Sequence, residues 1–587
     1  MPGGADLRAG HVSSTWPHRK TLRRGEYAQN MQPDERLAVI DLGSNSFRLV
    51  VFMAAHGWWR RTDEIYEPVR IGEGLAASGR LGEEPMRRAL ATLDVFDHFC
   101  RAAGLTQPVG QTQPVELCDP SDRRSRRSPV GGAVDALATS AIRDAENADG
   151  FLALAREHTS LPIRVLSREE EARYGYIAAV NSTTLTDGCV LDLGGGSLQL
   201  VRVADRLAHE LGSWRLGAVR MTERYLPANG PAKRRQIDEL REHVARELEQ
   251  AEWLSRAGPR LVGIGGTVRN IAAAVQRASG LPSNGVQAAI VSSEALEELV
   301  GRLAALPASE RSSVPGIKPA RADLILAGAI VVQGVLLAGG FNGLEATEAG
   351  LREGVFFERL LAEGTPTSGQ PPLFPDLRRT SVLNLAAQYR PDIAHTEHVA
   401  TLALAMFDEL TRLRLHDGDP IERELLWAAC MLHDIGMSVD YDDHHKHSRY
   451  LILNGGLPGY SPIEVAIVAQ AARYHRKGMP EPGPLAALFG PDDVARLDRC
   501  AVLLRLAEDL ERSRDQLVRG TRFTLADPSG ANAAVGPDDA GPDAHANAGK
   551  KIELRLIADG ESAVPRWAAS RESELFARAF HRELLVA

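Results

Sequence analysis

The chain has 587 residues, of which 44% are hydrophobic, 25% charged and 5% aromatic, fractions that exclude a wholly disordered, collagen-like or coiled-coil polymer. It is too long for one hydrophobic core, because cores stop growing near ~250–300 residues, so three or four folded units are expected. A net charge of −9 supplies no overall field toward nucleic acid or an anionic membrane, and neither is expected as a partner.

The five cysteines are scattered and never form a C-x-x-C pair, which fits a reducing compartment and argues against a disulfide framework or a thiolate zinc site. Residues 1–36 carry arginines and Trp16 but no apolar core of the secretory kind, so they read as a disordered tail of a cytoplasmic protein, with Met31 an alternative start. Leu37 to Met53, LAVIDLGSNSFRLVVFM, is two β-prone runs around a Gly/Ser/Asn turn, hence a hairpin. Glu83 to Ala103 has helical spacing, and a strand begins at Val134. Between them 107–132, with Arg123, Arg124, Arg126 and Arg127, reads as a solvated insertion.

Gly188 to Val203, GCVLDLGGGSLQLVRV, repeats the first hairpin's pattern a domain's length later, implying two copies of one fold facing each other. Arg234 to Arg256 is a helical pattern, Leu261 to Thr267 a strand ending in glycines, Ala327 to Phe341 a buried helix too short to span a bilayer, and Leu351 to Leu361 a closing helix. The units are therefore drawn at 37–174 and 175–362, a Pro/Gly-rich linker at 363–376, an all-helical domain at 377–520, and a small α+β piece at 521–587. That last piece carries a low-complexity insert at 527–549 and ends in a helix at Glu572 to Leu585.

A tight turn of Gly, Ser and Asn between two strands aims backbone N–H groups and hydroxyls at one point, an arrangement that holds phosphate. Gly43, Ser44, Asn45 and Ser46 form one such turn, and Gly194, Gly195, Gly196 and Ser197 a second. Gly265, Gly266 and Thr267 close a third. Asp41 and Asp192, at the ends of the preceding strands, are placed to hold Mg²⁺ directly or through water. Ordinary hairpins and turn-stabilising aspartates are the alternative reading.

AVIDLGSNSFRLV, ATSAIRDAEN, SREEEAR, DLGGGS, GIGGT, RADLILAG and GLREG stand in this order from about Leu37 to Leu361. Together they resemble the exopolyphosphatase and guanosine pentaphosphate phosphatase (Ppx/GppA) family of the actin-like superfamily. The resemblance implies an α/β fold of two actin-like (ribonuclease H-like) subdomains flanking a cleft, a homodimer, and Mg²⁺-dependent hydrolysis of a phosphoanhydride. It makes Glu171 the general base for the attacking water and Arg143 the guanidinium on the terminal phosphate. Without it, the three adjacent glutamates would read as a solvated helix start. One departure stands out: where the family has Ser-x-Glu, this chain has Ser197-Leu198-Gln199, which removes a negative charge and is expected to alter metal affinity or substrate preference.

In the helical domain His433-Asp434 ends an apolar helix, with other histidines on neighbouring segments, a ligand set suited to divalent transition metals. The segment resembles the HD metal-dependent phosphohydrolase superfamily, and the resemblance implies ligands at His398, His433, Asp434, His447 and His475. Glu508 stands in register with the superfamily's closing aspartate. The expected activity is release of terminal phosphate from inorganic polyphosphate, conversion of guanosine pentaphosphate to tetraphosphate, or both. A kinase of the same superfamily, an alarmone-binding module without turnover, and a nucleotide phosphohydrolase centred on the helical domain are the rival readings.

Overall fold

The computed structural model describes residues 35–55, 57–108, 132–282, 285–362, 371–525 and 551–587. Met31, Cys118, the expected tail up to residue 34, the two expected inserts apart from residues 107, 108 and 132, and most of the linker lie outside the described residues; Glu35 and Arg36, expected in the tail, begin the first strand, and residues 107, 108 and 132, expected in the insert, also lie in strands. The four cysteines that are described are all buried and free.

The first sheet is built on β1 (Glu35–Leu42), whose Leu37–Ile40 run is buried because the strand lies between two neighbours and under layers on both faces. β2 (Phe47–Ala55) pairs antiparallel to it, with Asp41 opposite Arg48. β3 (Trp58–Glu67), β4 (Leu105–Pro108) and β5 (Gly132–Ala138) complete the order β3-β2-β1-β5-β4, and β6 (Ile163–Val165) pairs with β5. β5 runs parallel to β1.

The second sheet repeats the plan. β7 (Gly188–Leu193) carries Asp192, β8 (Leu198–Ala204) pairs antiparallel with Asp192 opposite Gln199, and β9 (Leu207–Trp214) forms the edge. β10 (Arg260–Ile264) is parallel to β7, and β11 (Ala289–Ser292) and β12 (Gly343–Ala346) extend the sheet to the order β11-β12-β10-β7-β8-β9. In each half a central strand ends in an Asp-Leu-Gly turn, with a hairpin partner on one side and a parallel strand on the other. This is the α/β architecture of two actin-like halves.

The Arg168–Val180 helix joins the halves. Its start is fixed by a capping box of Ser167 and Glu170, and from Glu171 onward every residue but Arg173 is buried. The Leu351–Ala362 helix packs across it so closely that a β-carbon at Gly354 would collide with the Tyr174 carbonyl. Phe52 stacks on Phe356 at 4.4 Å between centroids, tying this helix pair to the first sheet.

Six helices between Leu377 and Leu510 surround a separate core. β13 (Val518–Leu525), β14 (Lys551–Ala558) and β15 (Glu583–Val586) form a small sheet on that same core. Trp59 stacks on Phe374 at 5.1 Å, and its backbone N–H donates to Asn384 Oδ1 at 2.7 Å, so β3 docks the first half on the helical domain.

Three sequence expectations change. The helix expected over Glu572 to Leu585 spans Ser573–Phe580 only: His581 turns to φ 54°, and buried Leu584 joins β15 along the free edge of β14. The Arg234 to Arg256 pattern breaks after Leu248 into a short 3₁₀ turn that still buries Leu254. The edge strands β3 and β9 were not anticipated, because neither carries the buried alternation of a core strand.

Gly354→Ala tests the helix contact. Overpacking of this kind costs about 1–3 kcal/mol, so a lower thermal midpoint and displacement of Glu171 are expected, and an unchanged midpoint would contradict the close approach.

Candidate functional site: a cleft between two glycine turns

The two hairpin turns close in the same way: Gly43 N–H donates to Ser46 O at 3.2 Å, and Gly194 N–H to Ser197 O at 3.0 Å. They face each other in near contact. A β-carbon at Gly195 would stand 3.0 Å from Ser44 Cβ, and one at Gly196 would stand 2.6 Å from Ser140 Oγ, so only glycine permits the approach. Ser44 Oγ and Ser140 Oγ are hydrogen-bonded at 3.1 Å. The third turn passes from β10 through Gly265, at φ 100°, into the Gly266–Ala278 helix, and so turns a helix N-terminus with free N–H groups into the same space.

The resulting cleft, open to solvent, is lined by all three turns. Asp41, Asp192 and Glu171 supply its carboxylates, and Arg48, Arg269, Arg321 and Arg352 its guanidiniums. Burial raises Asp41 above the ordinary aspartate range against the pull of Arg352 and Arg48. Burial, with Glu171 and Asp41 close by, pushes Asp192 up to about 7. Burial also raises Glu171, although Arg143 Nη1 donates to its Oε2 at 2.7 Å. On the cationic side, burial beside Arg352 and Arg48 lowers Arg269 to about 10. Both signs are therefore held under strain, a state relieved by a ligand that carries anionic oxygens and a cation together.

Of the residues read from sequence, Asp41, Gly43, Ser44, Asn45, Ser46, Glu171 and Asp192 line the cleft. Gly194, Gly195, Gly265 and Gly266 do so as well. Arg143 reaches the site through Glu171, and its Nη1 also donates to Leu166 O at 3.1 Å. Gly196, Ser197 and Thr267 stand outside the lining. Gly196 is wedged against Ser44 and Ser140, Ser197 Oγ accepts from Gln199 Nε2 at 2.8 Å, and Thr267 packs its methyl against Gly328. Gln199 Oε1 is buried without a hydrogen-bond partner; a glutamate there would add a further negative charge opposite Asp192.

The four cleft arginines were not singled out from the sequence. Each lies in or beside a recognised segment, SFRLV, GTVRN, RADL and GLREG, and an arginine in or next to a glycine-rich phosphate motif was the available signal.

A second constellation lies in the helical domain. His433 Nε2 is 3.2 Å and His395 Nε2 3.0 Å from Glu508 Oε2, while His444 Nε2 is 3.3 Å and His475 Nε2 3.8 Å from Asp434 Oδ1. Nδ1 of His433, His444 and His475 donates to the carbonyls of Cys430, Tyr441 and Ala472. With Nδ1 engaged in this way each ring turns its Nε2 inward, and His444 Nε2 and His475 Nε2 stand side by side at 3.1 Å, the orientation of rings that share a metal. Burial opposes charge on His433, yet Asp434 and Glu508 push its pKa up to about 9. Burial and the charge of His433 push His475 down to about 3.

Two expected ligands are corrected. His398 turns its Nε2 to Val518 O at 2.9 Å and lies 3.4 Å from Glu511, and His395, one helical turn earlier, takes its place. His447 is half-buried one turn beyond His444, and it is His444 that joins the cluster. In both cases the sequence placed a histidine on the correct helix but chose the wrong turn.

Facing glycine turns, buried carboxylates and arginines between two α/β halves are the arrangement of the actin-like superfamily, and the family matches make the class a phosphohydrolase. A sequence profile of the Ppx/GppA phosphatase family matches residues 127–363, and one for domain III of that family matches residues 377–532. The chain belongs to the Ppx/GppA phosphatase family. Among solved structures, it is similar to the Aquifex aeolicus member of the Ppx/GppA family, at 25% identity over 57% of this chain and 100% of that one, TM-score 0.46. It is also similar to an exopolyphosphatase from Cytophaga hutchinsonii, at 20% identity over 56% of this chain and 99% of that one, TM-score 0.48. Among the described residues no helix is long and apolar enough to cross a membrane.

The raised Asp192 pKa has a consequence for stability. Folding favours its protonated form, so its contribution is fully present below the ordinary value of 3.8 and is lost as pH rises toward about 7. Asp192→Asn removes this loss. In metal-free buffer its melting temperature is expected to exceed that of the wild type by ~5 °C at pH 8 and by little at pH 4, and an equal or lower midpoint at pH 8 would refute the assignment.

Proposed function

We propose that the chain is an exopolyphosphatase-like hydrolase that removes terminal phosphate from inorganic polyphosphate, with guanosine pentaphosphate, which ends in the same anhydride, as the other candidate substrate. The observation that carries this reading is the convergence of both glycine turns, four arginines and buried Glu171 on one cleft.

In this reading the terminal phosphoryl group lies between the two turns, and the N–H groups that do not close them, those of Ser44, Asn45, Ser46 and Gly195, donate to its oxygens. Glu171, oriented by Arg143, accepts a proton from a water as the water oxygen bonds to phosphorus. The bridging P–O bond breaks and its electron pair leaves on the shortened chain, where the cleft arginines offset the new charge. A raised carboxylate pKa suits a base that must hold a proton briefly near neutral pH. Asp41 and Asp192 would hold Mg²⁺, a fit supported by two hard oxygen donors whose mutual repulsion in a buried site a dication relieves. When bound, it would supply charge neutralisation at the phosphate oxygens.

The test is phosphate release from long-chain polyphosphate and from the pentaphosphate. Glu171→Gln is expected to lose about 10²–10⁴-fold in kcat. Turnover that survives Glu171→Gln but collapses with Asp434→Asn would move the chemistry to the helical domain.

The histidine cluster favours a second element of the reading, a divalent transition-metal site in the helical domain formed by His395, His433, Asp434, His444, His475 and Glu508. Metal analysis of the purified chain is expected to find bound Mn, Fe, Co or Zn that falls in His395→Ala and persists in His398→Ala. The reverse order would restore the ligand set expected from sequence.

A further inference from the structure

One cation of the helical domain reaches in among the histidines and their carboxylates. Arg514 Nη2 donates to Asp434 Oδ2 at 2.9 Å, while the other oxygen of that carboxylate, Oδ1, lies 3.3 Å from His444 Nε2 and 3.7 Å from His433 Nε2. Asp434 is therefore shared, with one oxygen turned to imidazoles and the other to a guanidinium. The arginine comes to this point from solvent: its side chain is 37% exposed, that of Asp434 only 4%.

The backbone takes an unusual course to bring it there. Arg514 stands four residues past the Pro491–Leu510 helix that carries Glu508, at φ 56°, and Gln516 follows at φ 55°. Residues with a β-carbon rarely adopt that left-handed region and keep it where their surroundings hold them there. Asp515 fixes the turn, its Oδ1 accepting from Ser513 Oγ at 2.7 Å and from Leu517 N–H at 3.1 Å.

No carboxylate belongs to Arg514 alone. Asp509 and Glu572, which line the same cavity, pair with Arg512 at 3.3 Å and Arg505 at 2.7 Å. Asp392 Oδ2, on an exposed side chain, lies 3.6 Å from Arg514 Nη1, too far for a hydrogen bond. Among the described residues Arg514 Nε and Nη1 donate to no acceptor within hydrogen-bond distance. An arginine that served only to hold Asp434 would need neither these open donors nor a place in the cavity wall, which Arg514 occupies. With Asp434 and Glu508 engaged by a dication, the cavity floor becomes cationic. The two oxygens of Asp434 then set a metal and a guanidinium side by side, and a planar guanidinium fork beside a metal suits a tetrahedral oxyanion.

We propose that Arg514 is the specificity-determining residue of this cavity, and that the ligand it selects is a phosphate dianion held between its open N–H groups and the metal of the histidine cluster. The inference rests on the metal site proposed above and is independent of hydrolysis at the cleft. Two sources carry that dianion: orthophosphate, the product released at the cleft, and the phosphate of a monoester. Tyr441, 61% exposed, lines the same cavity with its ring 5.7 Å from that of His444, where it offers a face to the flat group of such an ester.

The test uses the full chain loaded with Co²⁺, whose visible spectrum reports the groups around the metal. Loss of that spectrum in His395→Ala separates this site from phosphate bound at the cleft. Orthophosphate and guanosine monophosphate are titrated at saturating Co²⁺, with Kd from the spectrum and from calorimetry. Arg514→Gln keeps a donor for Asp434 without the charge, Arg514→Lys keeps the charge, and Arg512→Gln removes a rim charge already paired with Asp509. Arg514→Gln is expected to weaken orthophosphate about tenfold or more, Arg514→Lys to recover part of that loss, and Arg512→Gln to shift it less than about twofold. Tighter binding of guanosine monophosphate, with the margin lost in Tyr441→Ala, identifies a monoester; equal binding, indifferent to Tyr441→Ala, identifies orthophosphate. Unchanged phosphate affinity in Arg514→Gln, a loss of Co²⁺ affinity alone, or equal weakening by Arg512→Gln would overturn the assignment. A chain that binds no metal fails the metal-site reading instead, and calorimetry of orthophosphate with that chain, with and without Arg514→Gln, still decides whether the guanidinium holds the anion.

Discussion

The contact of the Gly43–Ser46 turn with the Gly194–Ser197 turn is the constraint on which the cleft depends. A side chain at Gly195 or Gly196 would meet Ser44 or Ser140, so the missing β-carbons let two separate sheets end at one point. Because β1 and β7 both terminate there, their aspartates share one space, and the buried joining helix delivers Glu171 to it. The arrangement costs electrostatic free energy. Burial raises all three carboxylates, with Glu171 and Asp41 adding to the rise at Asp192, and burial beside other arginines depresses Arg269. Such strain is tolerated where a ligand relieves it, as with a polyanion and its counter-cation.

The two titratable clusters have opposite chemistry. The cleft offers carboxylate oxygens among guanidiniums, a hard donor set beside anion-binding groups. The helical domain offers imidazole nitrogens tied to backbone carbonyls, with Asp434 and Glu508 opposite them, a softer set. A wide, open cavity rimmed by Arg476, Lys477, Arg505, Arg512, Arg514 and Arg571 leads to these nitrogens. Arg514 Nη2 donates to Asp434 Oδ2 at 2.9 Å, so this side chain shares a carboxylate with the histidines.

Much of the fold was legible because its signals are local. Apolar runs broken by Asp-Leu-Gly identify the central hairpins, and the duplicated pattern implies the two halves. The edge strands β3 and β9 escaped notice because edge strands are specified by pairing rather than by buried alternation. The last helix was drawn too long because amphipathic spacing continues through Leu584, whereas the backbone reverses at His581 to complete a parallel edge. At the site, glycines and acids stood out in linear motifs. His395 over His398, and His444 over His447, could not be resolved that way, since candidates one helical turn apart differ only in the surface their helix packs against.

The central claim, that water guided by Glu171 attacks a terminal phosphorus held between the turns, is most directly tested by hydrolysing polyphosphate in ¹⁸O-enriched water and locating the label. The account predicts one solvent oxygen in each released orthophosphate and none at the new end of the shortened chain. Label in the chain end, with unlabelled orthophosphate leaving, would mean attack on the neighbouring phosphorus and would contradict the proposed placement of substrate in the cleft.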